Sequence, residues 1–150
     1  MRYSVGGRCV ATAATADNVG AELWNPHGSK AIFVRTVSWT KTVATIDNPA
    51  LCRSSAKGTS TLTVTPDADN AMFRDAVPAS GATLELTFSA QPTLAKPYLM
   101  QTNLPAAIGA NFIWVFDPPG LLVPFGTGLV VATPVAVVQQ PADVTFEWDE

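Results

Sequence analysis

Leu23-Trp24-Asn25-Pro26-His27-Gly28-Ser29, followed at once by Ala31-Ile32-Phe33-Val34-Arg35-Thr36-Val37-Ser38-Trp39-Thr40, decides the fold class of this chain. An aromatic residue runs into a turn dense in Asn, Pro, Gly and Ser, the residues that hold reversed backbone at low cost. The ten residues beyond are rich in β-branched and aromatic side chains, the composition of a strand. A strand entered through so strong a turn signal predicts an antiparallel β protein.

The same grammar recurs outward from this point. Val43–Ile46 reads as the return strand of a hairpin with Ala31–Thr40, closed by the turn signal Asp47-Asn48-Pro49. Residues 53–60 read as a polar loop, and Thr61–Thr65 then alternates with Leu62 and Val64 on one face. Ala71–Val77 reads as a short helical turn. Thr83–Phe88 alternates again, placing Leu84, Leu86 and Phe88 together. Gln91–Ala110, interrupted by Pro92, Pro97 and Pro105, reads as irregular. Phe112-Ile113-Trp114-Val115-Phe116 is apolar throughout, so it is expected to be buried on both faces or to lie at a subunit contact. Leu129–Ala132 and Val135–Val138 read as further strands.

The last segment, Val144-Thr145-Phe146-Glu147-Trp148-Asp149, points Val144, Phe146 and Trp148 inward. Turn signals at this spacing, without strand–helix–strand alternation, give a single jelly-roll-like antiparallel β-sandwich. Residues 21–150 form that domain. Residues 1–20, small and polar, are expected to be an extended N-terminal arm or a first edge strand. Trp24, Phe112, Trp114, Phe116 and Trp148 are expected in the core or at a subunit interface.

At 150 residues the chain suffices for one domain that buries roughly 70% of its unfolded surface without metals or disulfides. It is 47% apolar yet only 14% charged, where about 25% charged is usual. Two readings follow: part of the surface is covered by other protein, or it is an ordinary Thr/Ala-rich β surface. The net charge is −3, and all nine Lys and Arg residues lie between Arg2 and Lys96. No basic stripe exists, so a nucleic-acid partner is not expected. No apolar run approaches the ~20 residues that span a bilayer, and residues 1–20 lack a signal-peptide core, so a soluble cytosolic product is expected with no membrane partner. Cys9 and Cys52 match no zinc spacing and read as two buried free thiols, with a bridge between them as the alternative.

Candidate chemistry is sparse. His27, the one histidine, sits in the opening turn and reads as exposed, with no nucleophile elbow or second ligand in its sequence neighbourhood. Asp67, Asp69 and Asn70 resemble part of a calcium loop but lack the Gly and Glu that complete one, so the turn reading is preferred. Asp143, Glu147, Asp149 and Glu150 are expected to be solvated, without the split in pKa that acid–base catalysis requires. Gly126-Thr127-Gly128 opens no helix and is not a phosphate cradle. A sugar-stacking platform of Trp24, Trp39, Trp114 and Trp148 is weighed against packing, and packing is preferred. The expectation is a non-enzymatic protein without cofactor or metal.

The two ends of the domain resemble a pattern from structural proteins of tailed bacteriophages. There an L-W-N-P-x-G-S segment leads into a hydrophobic strand, here Leu23–Ser29 and Ala31–Thr40. At the far end an apolar strand and a Pro/Gly segment, here Pro118-Pro119-Gly120 through Gly126-Thr127-Gly128, lead to a terminal Phe146-Glu147-Trp148-Asp149-Glu150. The resemblance implies a small jelly roll, similar to tumour-necrosis-factor-like domains, that forms a homotrimer on the virion. Head decoration (cement) proteins are its most natural members, with the major capsid protein as partner and the capsid surface as location. A receptor- or glycan-binding module of a tail or fibre is the alternative. Motifs of this kind transmit fold better than function, and no catalytic residue is carried over.

Overall fold

A computed structural model describes residues 1–11, 16–66, 80–136, 138 and 140–150. Eleven strands and no helix are present among them: β1 (Arg2–Cys9), β2 (Asn18–Asn25), β3 (Ile32–Lys41), β4 (Ala50–Ala56), β5 (Thr59–Val64), β6 (Thr83–Ala90), β7 (Thr93–Gln101), β8 (Asn111–Val115), β9 (Leu121–Val123), β10 (Thr127–Thr133) and β11 (Ala142–Asp149). Two antiparallel sheets pack as a sandwich. One runs β1-β11-β3-β8 with β9 also paired to β3, and the other runs β5-β6-β2-β10-β4-β7. The all-β, jelly-roll-like architecture expected from the turn cadence is the one observed.

The core between the sheets is built from the alternations legible in the chain. On β11, Val144, Phe146 and Trp148 are buried while Asp143, Thr145, Glu147 and Asp149 are half-buried on the far face. On β3, Ile32, Val34, Val37 and Trp39 are fully buried, the phase changing between Val34 and Val37 where the pairing with β11 carries a bulge. Residues 2–9 form a paired edge strand: β1 lies along β11 in unbroken register from Arg2↔Asp149 to Cys9↔Ala142 and gives Tyr3, Val5 and Cys9 to the core. Tyr3 stacks on Trp148 with ring centroids 5.8 Å apart. The division expected at residue 20 falls within β2, which starts at Asn18.

The six-stranded sheet is apolar on both faces, which explains the uninterrupted run Leu129–Ala132. Leu129 and Val131 enter the main core, whereas Val130 and Ala132 join Val19 and Cys52 in a smaller cluster on the outer face. Phe88, Leu94 and Tyr98 cover that cluster. Leu84, Leu86 and Phe88 therefore do not share a face. Thr87 takes a left-handed φ of 56°, which breaks the alternation and turns Phe88 to the opposite side from Leu84 and Leu86.

Other expectations are corrected. Val43–Ile46 is not a strand and makes no hairpin with β3, whose partners are β11, β8 and β9. Of residues 53–60, expected as a loop, 53–56 end β4, which is held from both sides by β10 and β7, and 59–60 open β5, so only Lys57-Gly58 connects them. Residues 93–101 are strand β7 despite Pro97, since that strand lies at the sheet edge, where a missing amide donor costs little. Residues 134–136 are bends rather than strand. The Asp67–Asn70 acids and the Ala71–Val77 turn lie outside the described residues.

Candidate functional site

The Leu23–Ser29 turn is a locked corner. Asn25 is fully buried, and its side chain donates to the carbonyls of Lys30 (2.9 Å) and Val123 (3.2 Å) while accepting from the His27 amide at 3.2 Å. One amide thus ties the turn to itself and to the opposite sheet. His27 is not exposed as expected. Its Nε2 lies 2.6 Å from Oε1 of Glu150, and its ring covers Gly81, where a Cβ would come within 2.5 Å of Nε2. Ser80 completes the corner by donating to the other Glu150 oxygen at 2.5 Å and accepting from the Ala82 amide and the Trp148 indole.

A histidine, a serine and a carboxylate in contact invite comparison with a nucleophilic triad, but the wiring differs. The acid lies in the middle, and the serine bonds to the acid rather than to the imidazole. Its single proton and both acceptor positions are occupied, and the residue is 4% exposed. The corner holds the turn; it offers no activated oxygen.

A second polar cluster is buried beneath the β4–β5 turn. Glu22 on β2 and Glu85 on β6 are directly opposed across the strands, and both are fully buried. Glu22 accepts from the Ser54 hydroxyl and, at 3.3 Å, from the Gly58 amide; its burial pushes its pKa up to about 6 against those bonds. Burial also acts on Glu85, but a Lys57 ammonium at 2.7 Å and the hydroxyls of Thr63 and Thr83 outweigh it and hold the carboxyl below its ordinary range. Lys57-Gly58 is thereby pinned to the sheet by both carboxylates. Buried Lys41 donates to the Pro105 carbonyl at 2.6 Å, and buried Asp47 accepts from the Trp39 indole at 2.7 Å, fastening the segment between β7 and β8. Cys9 and Cys52 are free and buried, and desolvation pushes the Cys9 thiol up to about 12. Among the described residues no group of three or more His, Cys, Asp and Glu side chains is placed to hold a metal ion.

The surface departs from the usual pattern along one flank. Among the described residues β8 pairs with β3 on one side only, and the other side of the strand is a free edge. Its register sets Trp114 opposite Val37 and turns it inward, 3% exposed, whereas Ile113 opposite Ser38 and Val115 opposite Thr36 point outward at 52% and 69% exposure. Leu122 on β9 continues this strip beside Phe33. The second free edge on the same flank is β7, with Leu99 and Met100 exposed. The 102–110 segment joins the two edges, and Arg53 of β4 donates to the Leu122 carbonyl across the gap between the sheets.

The expected interface or core residues separate accordingly. Trp114 and Trp148 are core; Phe116 is half-buried against the core; Phe112 sits at the rim, 38% exposed and edge-on to Trp114 at 5.2 Å. Trp24 is half-buried beside Gly128 and Thr83, outside both apolar clusters. Sequence reasoning singled out the β8 segment but missed the buried Asn25, Glu22, Glu85 and Lys41, because a polar residue within a strand carries no local sign of an internal partner.

What these observations define is an antiparallel β-sandwich with internally committed polar groups and an apolar strip along the uncharged β8–β9 edge. No protein-family model, curated protein or solved structure matches the chain. No helix among the described residues is long and apolar enough to cross a membrane.

Proposed function

We propose that the protein is a non-enzymatic bacteriophage capsid decoration protein, a homotrimer that binds the major capsid protein on the outside of the head and stabilises the lattice. The observation that carries this reading is the exposed apolar flank formed by the uncharged strands β8 and β9 with Leu99 and Met100 of β7. Rows of exposed large apolar side chains on a free strand edge favour a protein contact there. The two end motifs that resemble phage structural proteins supply the biological setting. The locked corner at Asn25, His27 and Glu150 supports a scaffold role for the first of those motifs.

Receptor or glycan binding has less support. It calls for an exposed tryptophan platform, whereas Trp39, Trp114 and Trp148 are buried and Trp24 stands half-buried outside both apolar clusters.

Electron cryomicroscopy of particles of the phage encoding this chain, with quantification of its copies, tests the proposal. Hundreds of copies on the outer shell are expected. A handful of copies at the tail, or none in the particle, would overturn it.

A further inference from the structure

One connection of the six-stranded sheet is too short for a flat sheet. β10, β2 and β6 separate β4 from β5 in strand order, which sets them about 19 Å apart at the usual strand spacing. Only Lys57-Gly58 joins them, a step of about 11 Å at full stretch. The sheet therefore curls toward its outer face, and the Lys57-Gly58 crossover closes over that face. Gly58 lies there without room for a side chain. A Cβ would come within 2.7 Å of the Phe88 ring, 2.8 Å of the Ala90 carbonyl oxygen and 2.9 Å of Pro92. Phe88 in turn covers the smaller apolar cluster of Val19, Cys52, Val130 and Ala132.

Beneath the crossover sit two carboxyl groups and one cation. Glu22 and Glu85 are directly opposed, and their neighbours Ala21, Leu23, Leu84 and Leu86 fill the main core. Both glutamates therefore point to the outer face, where neither has any exposure. Lys57 pairs with Glu85 at 2.7 Å while its own side chain stays 39% exposed. The remaining contacts are neutral: the Ser54 hydroxyl and the Gly58 amide on Glu22, and the Thr63 and Thr83 hydroxyls on Glu85. β10 contributes Gly128 and Val130 to this face, and the Cys52 thiol of β4, which burial pushes up, is uncharged. With both carboxyls ionised, the closed site holds one negative charge that nothing balances and no water reaches. A single proton on the pair restores neutrality.

We infer that the Lys57-Gly58 crossover is an acid-held latch: it lies closed over the curled sheet while the Glu22–Glu85 pair keeps one proton, and loss of that proton favours its lifting, which admits water to the carboxylates and uncovers Phe88. Glu22 is the holder of the proton, because Glu85 has the ammonium. Burial of Glu22 prevails over its two hydrogen bonds and moves its titration from the ordinary 4.5 to about 6 in the closed turn; lifting the turn hydrates the carboxyl and returns it toward 4.5. The closed turn thus binds the proton more tightly than the lifted one. Its closure is fully supported below 4.5 and weakens as the pH rises through about 6. Glu85, held low by Lys57, keeps its ion pair across that range. The latch is a property of the single chain and stands whether or not the protein decorates a capsid.

Amide hydrogen exchange of the whole chain, resolved by NMR at pH 5 and pH 8, tests this. Each rate is divided by the intrinsic rate of an unstructured peptide at the same pH, so that only protection is compared. Protection of the Gly58 amide, which donates to Glu22, is expected to fall about eightfold from pH 5 to pH 8. The Gly58 amide is also expected to exchange ahead of the Phe146 amide in β11 and to ignore low urea, the marks of a local opening. Glu22→Gln removes the titration and is expected to give equal Gly58 protection at the two pH values. Gly58 protection in the parent that does not change with pH overturns the latch, and this measurement stands even where the variant fails to fold. A parent change that Glu22→Gln reproduces in full overturns it too, since another group then controls the turn. Gly58 exchange that keeps step with Phe146 and with urea also overturns it, because the turn then opens only when the whole domain unfolds.

Discussion

Replacing Glu22 by glutamine isolates the electrostatics of the buried cluster beneath the β4–β5 turn. Glu22 has a folded pKa of about 6 against an ordinary value of 4.5. That difference of about 1.5 units, at 1.36 kcal/mol each, amounts to about 2 kcal/mol. The folded state holds the proton more tightly than the unfolded chain. The associated stability is therefore fully present below the ordinary value of 4.5 and is lost as the pH rises through about 6. Glu85 has the opposite sign: its carboxyl is held low, so its contribution is present at higher pH and fades as the pH falls below the ordinary 4.5. Their combination favours a stability maximum in the mildly acidic range.

Glu22→Gln keeps an acceptor for Ser54 and removes the titration. Thermal unfolding followed by circular dichroism, at one protein concentration and at pH 5 and pH 8, compares the two chains. In a domain of this size about 2 kcal/mol corresponds to roughly 4–8 °C in Tm. Part of the contribution is already lost at pH 5, above the ordinary 4.5, so the difference between variant and parent is expected to move by about 1.2 kcal/mol, or roughly 2–5 °C, in favour of the variant on going from pH 5 to pH 8. Identical differences at the two pH values would show that the Glu22 carboxyl is not shifted on folding, because a merely steric or hydrogen-bonding effect of the amide does not titrate.

Four further outcomes rest on particular contacts. Trp114→Ala, at a buried position, is expected to cost about 3–5 kcal/mol of folding stability in denaturant titration. By contrast, Val115→Asp at the next residue is expected to leave the folded monomer intact and shift the sedimentation mass from trimer to monomer. A fully trimeric Val115→Asp protein would contradict the placement of the contact. Gly81→Ala drives a methyl group into the His27 ring and is expected to cost about 1–3 kcal/mol, with His27→Ala relieving part of that cost in the double variant; strict additivity would show that the ring is free to move aside. Cys9 and Cys52 are expected to react with a thiol reagent only after unfolding, and fast labelling of the native protein would contradict their burial.

The strands that the sequence disclosed are those with one wet and one dry face. β11 alternates without a break, and β3 carries enough β-branched and aromatic residues to be read through its bulge. β4 was hidden because its far half, Arg53-Ser54-Ser55-Ala56, looks like a loop until β10 and β7 flank it. β7 was hidden by Pro97, which argues against a central strand but not against an edge. Phe88 was misplaced because one left-handed residue, Thr87, shifts the phase by a whole face. The apolar run at Phe112–Phe116 admitted either double burial or a subunit contact; within the single chain it has one buried tryptophan flanked by exposed Ile113 and Val115. The polar knots at Asn25, Glu22 and Glu85 depend on partners 98, 32 and 28 residues distant in sequence (Val123, Ser54, Lys57), a separation that local pattern does not encode.

The scarcity of charge in this chain acts twice on its surface. The composition is already low in charged residues, and four of them (Glu22, Lys41, Asp47 and Glu85) are buried in internal contacts. Arg2, Arg8 and Lys96 are engaged in ion pairs along the β1 and β7 edges. Charge that could have guarded β8 is thus spent in pinning loops and shielding other edges. The β8–β9 edge is left with neither charge nor proline and with Ile113, Val115 and Leu122 exposed, and the assembly proposed above rests on that surface. Covering Ile113, Val115 and Leu122 gains the hydrophobic free energy of that strip without a compensating ion-desolvation cost. A lysine at position 113 or 115 would place a charge on this edge and oppose its burial, leaving a folded but unassembled sandwich.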